Sequence, residues 1–173
     1  MSQRPVQRAR RGVLLALASS ILTGGCGFQL RQAPEFVFRK VFLNAQPNSP
    51  LAAELRRSLG ADGKVAVITE AARLNEADVV LDFLQEQREK VVVGLNASGQ
   101  VREFQLRTRL KFRLRTPKGK DLIGDTELLL SRDISFNEAA VLAKEAEEGL
   151  LYRDMQSDIV QQLMRRLSAV KGL

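Results

Sequence analysis

A strict alternation of apolar and polar residues between positions 103 and 115 constrains the fold of this chain more than any other stretch. The even positions hold Phe104, Leu106, Thr108, Leu110, Phe112 and Leu114, and the odd positions hold Glu103, Gln105, Arg107, Arg109, Lys111, Arg113 and Arg115. Because successive side chains of a β-strand point to opposite faces of its sheet, this pattern predicts a long strand. One face of that strand belongs to the core, and the other carries a column of five positive charges.

The segments on either side predict a meander of three long strands. Residues 79–93 are apolar at both ends and lead into a hairpin loop at 94–99, and residues 116–120 form a second turn. Apolar side chains then recur at alternate positions from Thr126 to Phe136. Arg132 breaks that alternation, so it either marks the end of the third strand or has a specific acidic partner.

The chain before the meander predicts a strand, a helix and a second strand. Residues 35–43 and 64–69 are rich in β-forming side chains. Between them, Ser49 is suited to cap a helix, Pro50 to occupy its first position and Gly60 to end it. Residues 71–75 are ambiguous.

The C-terminal segment predicts a long helix from residue 137 to about residue 170. Apolar side chains recur there at spacings of three and four residues, at Tyr152, Met155, Ile159, Leu163, Leu167 and Val170. Gly149 suggests a break between a first turn and the main helix. The predicted fold class is therefore α+β: two helices packed on one face of a mixed, mostly antiparallel sheet of four to five strands, in a single-domain sandwich that covers residues 35–173.

The first 25 residues have the layout of a signal peptide. Four arginines precede an apolar run at 13–22, which is too short for a permanent membrane span, and Thr23-Gly24-Gly25 stands before Cys26. A cysteine after small residues is typical of the lipobox of bacterial lipoproteins, in which the thiol is diacylated, the signal cleaved and the new amino terminus acylated. The alternative is a soluble secreted protein with an unmodified thiol at Cys26.

The lipoprotein interpretation divides the chain into a cleaved signal at 1–25, a lipidated cysteine with a short tether at 26–34, and the folded domain. In Gram-negative lipoproteins an aspartate after the cysteine retains the protein at the inner membrane, and here that residue is Gly27. We therefore expect an anchor in the outer membrane, with the domain on the periplasmic side.

Residue counts argue against several kinds of site. The chain has 173 residues, one cysteine and no histidine, so a disulfide framework and a thiolate metal cluster are impossible and the commonest general base is missing. No phosphate-binding loop or nucleophile motif is present either. We expect no enzyme, no catalytic residue, no metal and no cofactor beyond the lipid on Cys26. With one tyrosine and no tryptophan for base stacking, nucleic acid is not an expected partner.

The column of positive charges between Arg107 and Arg115 has two interpretations. It would favour an anionic partner rich in phosphates. Alternatively, it is the wet side of a one-sided sheet, balanced across the strands by Glu86, Glu89, Glu103 or Glu127. The residues alone favour neither.

Short motifs along the whole mature chain carry a family resemblance. They are CGFQLR at 26–31, NSPL at 48–51, Arg132 before FN at 136–137, LAK at 142–144, LYRDMQ at 151–156, QQL at 161–163 and RRL at 165–167. In this order and spacing they resemble the LPS-assembly lipoprotein family LptE.

The resemblance implies a plug seated inside the β-barrel of a partner, LptD, that binds lipopolysaccharide (LPS) and assists its assembly at the outer leaflet of the outer membrane. In the family, basic residues near the strand loops and at the start of the last helix contact the phosphorylated lipid. Here Lys144 matches the helix lysine, and Arg102 is the nearest candidate to the uncharged hairpin tip. Further candidates for LPS binding are Arg107, Arg109, Lys111, Lys118 and Lys120. The alternative function is an accessory lipoprotein of another envelope lipid transporter.

Overall fold

Five strands form one mixed sheet in the computed structural model, which describes residues 34–173. The strands are β1 (Lys40–Asn44), β2 (Ala66–Ile68), β3 (Val79–Leu95), β4 (Val101–Arg115) and β5 (Asp121–Ser135), in the spatial order β2-β1-β3-β4-β5. β1 runs parallel to β2 and β3, whereas β3, β4 and β5 form the antiparallel meander. The predicted sheet is confirmed. The predicted signal peptide at 1–25, Cys26 and the rest of the predicted tether up to residue 33 lie outside the described residues.

The two main helices are α1 (Pro50–Gly60) and α2 (Val141–Ser168), with short 3-10 turns at Ala71–Glu76 and Glu138–Ala140. Ser49 caps α1 as predicted, because its Oγ accepts the N–H of Ala52 at 2.8 Å. Helix α2 continues unbroken through Gly149, so the suggested break there is wrong. β1 begins at Lys40 rather than at residue 35, and Phe36 and Phe38 before it pack with ring centroids 5.2 Å apart.

The main core lies between one face of the sheet and both helices. Its fully buried side chains include Leu110, Phe112 and Leu114 of β4, together with Leu55 of α1 and Leu163 of α2. The alternation in β4 therefore gives the buried face that it predicts. On the other face, Phe42, Ile68, Ala77 and Val80 form a small cluster that Leu74 covers. Residues 34–173 belong to one compact unit, and the main core cluster draws on its strands and on both helices.

A register shift in β3 changes which of its side chains face the helices. Phe83 is opposite Phe112, but Gln85 is opposite Lys111, so Leu84 is the extra residue of a bulge. From this point on, Glu86, Arg88 and Lys90 are paired with Leu110, Thr108 and Leu106 of the buried face. The polar stretch 85–90 therefore contributes three charged side chains to the helix side of the sheet.

Arg132 has a specific acidic partner, which was one of the two interpretations of this residue from the sequence. It lies within β5, opposite Leu106, and its Nη2 is 3.2 Å from Oδ2 of Asp158 on α2. Arg132 thus joins the last strand to the helix that covers it.

β5 is an edge strand. One hydrogen bond to β4 shows which backbone N–H groups of β5 point to β4 and which point to the free edge. The N–H of Phe136 donates to the carbonyl of Arg102 at 2.7 Å, in register with the pairs of β4 and β5. Because hydrogen-bonded pairs alternate along antiparallel strands, the N–H of Leu130 points to β4 and the N–H of Leu129 points to the free edge.

Proline substitutions at these two neighbours test the edge assignment. Leu130→Pro should lose about 1–3 kcal/mol more unfolding free energy than Leu130→Ala, because a β4 carbonyl loses its donor. The free energy of unfolding of Leu129→Pro should stay close to that of Leu129→Ala, since no hydrogen bond to β4 is lost. Urea unfolding of the chain from Gly27 to Leu173 measures all four. A larger proline penalty at Leu129 than at Leu130 would contradict the assignment.

Candidate functional site

The cations that the sequence indicated as LPS-binding candidates lie in three separate places. Lys144 and Arg102 lie where β3 and β4 form their hairpin, Arg107, Arg109 and Lys111 lie along the open face, and Lys118 and Lys120 lie in the turn before β5. Because β4 has 15 residues at about 3.4 Å each, its two ends are roughly 50 Å apart. These residues therefore do not form one site.

Four of the five cations in the column on the open face pair with carboxylates of the neighbouring strands, whereas Arg107 donates to the amide oxygen of Gln105. Arg109 Nη1 and Lys111 Nζ lie 3.1 and 3.7 Å from Oε2 of Glu127 on β5. Arg115 Nε and Arg113 Nη2 lie 2.7 and 3.4 Å from Oδ2 of Asp82 on β3.

Asp82 is the buried anion of this column. Burial by itself raises its pKa, but hydrogen bonds from Arg115, Asn44 and Arg113, together with the charge of Arg115, hold the pKa below its usual range. In return, the hydrogen bond to Asp82 raises the pKa of Arg115. Of the four acidic partners that the sequence suggested, only Glu127 forms such a pair, whereas Glu86 accepts a hydrogen bond from Ser49 on the helix side. The geometry favours the structural interpretation of the column.

A groove flanked by two lysines lies at the other end of the meander. Lys90 of β3 and Lys144 of α2 line it together with the apolar side chains Phe104, Ile134, Phe136 and Val141. Lys90 Nζ lies 4.4 Å from the centroid of the Phe104 ring, and Phe104 meets Phe136 edge to face at 5.4 Å. The groove therefore combines positive charge with an apolar floor.

Each lysine is held by a carboxylate of α2. Lys144 Nζ lies 2.8 Å from Glu147 Oε2 and donates to Ser135 Oγ at 3.0 Å, while Lys90 Nζ lies 2.6 Å from Glu148 Oε2. Asn137 fixes the turn before α2, because its side chain accepts the N–H of Ala139 at 3.0 Å. An incoming phosphate would have to displace these carboxylates from the lysines.

Exposed apolar side chains also occur on the β3–β4 hairpin and at the start of α2. Leu142 is 83% exposed and Leu95 is 62% exposed, and Val92 and Val93 of the same hairpin are also exposed. On the other side of Phe136, Arg102 lines a small polar hollow with Gln100, Asn137 and Glu138. Lys144 and Arg102 are thus brought to the two sides of one aromatic ring.

Lys90 was not among the candidates from the sequence. Residues 85–89 before it are all polar, so no apolar–polar alternation indicates which face of the sheet Lys90 lies on. Its position on the helix side depends on the bulge at Leu84. A bulge of this kind has no distinct signal in a single sequence.

A polar layer behind the groove connects both helices to the sheet. Arg88 Nη2 donates to Gln156 Oε1 at 2.6 Å, and Gln156 Nε2 donates to Glu54 of α1 at 2.6 Å. Tyr152 donates its hydroxyl to the carbonyl of Glu89 at 2.7 Å, and burial raises the pKa of that hydroxyl. These hydrogen bonds hold α2 in place over β3, and they therefore help to position Lys144 relative to Lys90.

Two further observations limit the chemistry of the described domain. Residues 34–173 contain no group of carboxylates, cysteines or histidines close enough to bind a metal ion. No helix of this part of the chain is long and apolar enough to cross a membrane.

Comparisons with known proteins agree with this architecture. The family LptE, described as Lipopolysaccharide-assembly, matches residues 38–167. The chain is similar to a protein named LPS-assembly lipoprotein LptE from Pectobacterium atrosepticum, with 27% identity over 168 residues that cover 95% of this chain and 89% of the relative. A relative of the same name from Yersinia pestis is 30% identical over 161 residues, which cover 91% of this chain and 75% of the relative.

Solved structures show the same fold. The solution structure of an uncharacterized lipoprotein B from Nitrosomonas europaea is 35% identical, with a TM-score of 0.71 over 83% of this chain and 91% of that one. The crystal structure of a minor lipoprotein from Acinetobacter baumannii has a TM-score of 0.61 at 23% identity, over 78% of this chain and 94% of that one. From the family match and these relatives, the chain belongs to the LptE family of LPS-assembly lipoproteins.

Proposed function

We propose that this chain is a lipid-anchored outer-membrane protein that plugs the LptD barrel, binds LPS and assists its assembly at the outer leaflet. The observation that carries LPS binding is the groove with Lys90 and Lys144 at its rim and Phe104 and Phe136 at its floor. An LPS molecule offers phosphates and acyl chains together, and this small groove of about 60 Å³ offers lysines to a phosphate and an apolar surface beside them. The role requires no bond breaking, so we propose neither an enzyme activity nor a cofactor.

Binding at the groove would be an exchange of ionic partners. Lipid phosphates would replace Glu147 and Glu148 as the anions next to Lys144 and Lys90, in charge-assisted hydrogen bonds. The released carboxylates could then accept the divalent ions that join LPS molecules to one another. This exchange separates one LPS molecule from its neighbours.

The open face of the sheet is suited to a barrel lumen. It is polar, and four of its five column cations are paired with Glu127 and Asp82. Lumen walls of membrane barrels are polar as well, so contact with them would bury mainly cations that already have a carboxylate partner. The open face thus supports the plug role, and the groove supports the lipid role.

The anchor is tested by Cys26→Ala. Two or three acyl chains, each contributing about 0.8 kcal/mol per buried methylene, would hold the protein on a membrane permanently, so their loss should release the chain or block its maturation. Membrane fractionation and immunoblotting measure the outcome. Gly27→Ala, which keeps the thiol, is the matched control. A Cys26→Ala protein that still fractionates with membranes would exclude a lipid anchor at this residue.

The groove is tested by Lys90→Gln/Lys144→Gln in the chain from Gly27 to Leu173. At about 1 kcal/mol per cation next to an anionic lipid, we expect LPS binding to weaken about 30-fold. The matched control is Arg109→Gln/Lys111→Gln, which removes two charges that already have a partner in Glu127. LPS titration, followed by light scattering and intrinsic tyrosine fluorescence, compares the two. A loss in the control pair alone would assign LPS to the open face instead.

The partner is tested by affinity purification of the lipidated protein from outer membranes. We expect one large β-barrel to accompany it in stoichiometric amount, identified by mass spectrometry. Recovery of an inner-membrane transport complex without a barrel would instead favour an accessory subunit of another transporter.

A further inference from the structure

One end of the domain is where the chain emerges from residue 33. The parallel pairing of β1 with β2 and β3 brings the starts of these three strands to the same end of the sheet. The antiparallel pairing adds the end of β4, the turn that contains Lys118 and Lys120, and the start of β5. The C-terminal end of α2 lies beside this turn, where Arg166 and Lys171 share a hollow with Lys120.

This end, which we call the basic end, carries cations that the domain leaves unpaired. Its exposed cations include six that form no ion pair within residues 34–173: Arg39, Lys118, Lys120, Arg165, Arg166 and Lys171. In this respect they differ from four of the five cations of the column on the open face and from both lysines of the groove.

The acidic side chains of the basic end are fewer and mostly occupied. Asp62 pairs with Lys64 at 3.9 Å, and Asp78 accepts the backbone N–H groups of Arg39 and Lys40 at 2.8 Å. Asp121 lies next to Arg115, whose pKa it helps to raise, after the larger effect of the hydrogen bond to Asp82. Glu76, just before the start of β3, pairs with Arg73 at 2.9 Å, and Glu35 is a further carboxylate at this end. The basic end therefore keeps an excess of positive charge.

The opposite end of the domain carries charges of both signs. Glu138, Glu145, Glu147 and Glu148 lie at the start of α2, and Lys90, Lys144 and Arg102 lie among them. The excess of unpaired positive charge is therefore specific to the basic end, and a flat anionic surface would attract this end more strongly than the other.

Helix electrostatics explain only part of the basic end. Arg165 and Arg166 lie in the last turn of α2, where cations stabilise the helix dipole. Lys118 and Lys120 lie in a turn between two strands, so no helix accounts for them. Val37 and Leu173, each about half exposed, add apolar side chains near the same end.

The short spacing to Cys26 suggests what the basic end faces. Pro34, the first described residue, is eight positions after Cys26, which limits their separation to at most about 28 Å. If Cys26 is lipidated as proposed above, the basic end is the part of the domain held nearest to the membrane that holds the anchor.

We propose that the basic end docks on the anionic phospholipid headgroups of the membrane that holds the anchor, with Lys118, Lys120, Arg166 and Lys171 as the main contacts. Each cation near such a surface contributes about 1 kcal/mol at low ionic strength, so the contacts orient the domain upright while the acyl chains hold it in place. The opposite end, with the groove, then points away from these headgroups.

The test uses the chain from Gly27 to Leu173, which carries no acyl group, and sedimentation with vesicles of phosphatidylethanolamine and phosphatidylglycerol at 7:3. We expect salt-sensitive binding that Lys118→Gln/Lys120→Gln weakens about 30-fold, and no binding to phosphatidylcholine vesicles. The matched control, Arg56→Gln/Arg153→Gln, removes the same charge from exposed positions outside this end and should bind within about twofold of the unchanged chain. Arg166→Gln/Lys171→Gln is a second, independent pair for which the same loss is expected.

Three results would overturn the proposal. They are equal losses in the test and control pairs, binding to phosphatidylcholine that matches binding to the anionic vesicles, and binding to LPS micelles without binding to phosphatidylglycerol. Each of them leaves the lipid anchor and the barrel partner untouched, because fractionation of Cys26→Ala and purification from outer membranes test those separately.

Discussion

The packing of the buried face of β4 against α2 is the interaction on which the rest of the domain depends. Leu106, Leu110, Phe112 and Leu114 are fully buried, and they place Met155, Ile159 and Leu163 of the helix directly over the meander. Burial of side chains of this size contributes about 1.5–3 kcal/mol each. Once α2 is fixed there, its first turns necessarily lie over the hairpin end, where Lys144 meets Lys90, and its last turn lies beside Lys118 and Lys120. Both cationic regions thus derive from one helix position.

The sequence predicts this framework because each element carries an uninterrupted local signal. β4 alternates over thirteen residues at 103–115, Ser49 and Pro50 define the start of α1, and α2 has an apolar stripe along most of its length. Prediction from the local sequence fails where the conformation of a residue depends on the residues packed around it. Gly149 stays helical, because the adjoining turns of α2 are continuous on both sides, and glycine costs only about 1 kcal/mol in a helix.

The candidate site was less predictable than the fold, and the bulge at Leu84 is the main reason. An alternation through β3 without that extra residue would leave Lys90 on the open face. The choice between the two roles of the basic column likewise depended on Asp82, which precedes the bulge and was not among the suggested carboxylates. Lys144, by contrast, was found through a short family motif at the start of a helix, where local sequence and position agree.

The pairing of charges distinguishes three cationic regions that look alike in the sequence. On the open face four of the five cations pair with carboxylates across strands, so most of these charges already have an internal partner. In the groove, Lys90 and Lys144 each pair with one carboxylate of α2, Glu148 and Glu147. An incoming phosphate would have to replace that carboxylate. At the basic end Lys118 and Lys120 have no ion-pair partner within residues 34–173, so an external anion costs no internal contact. Lysines and arginines that look alike in the sequence therefore differ in what an external anion would have to displace, and the partner of each side chain decides that difference.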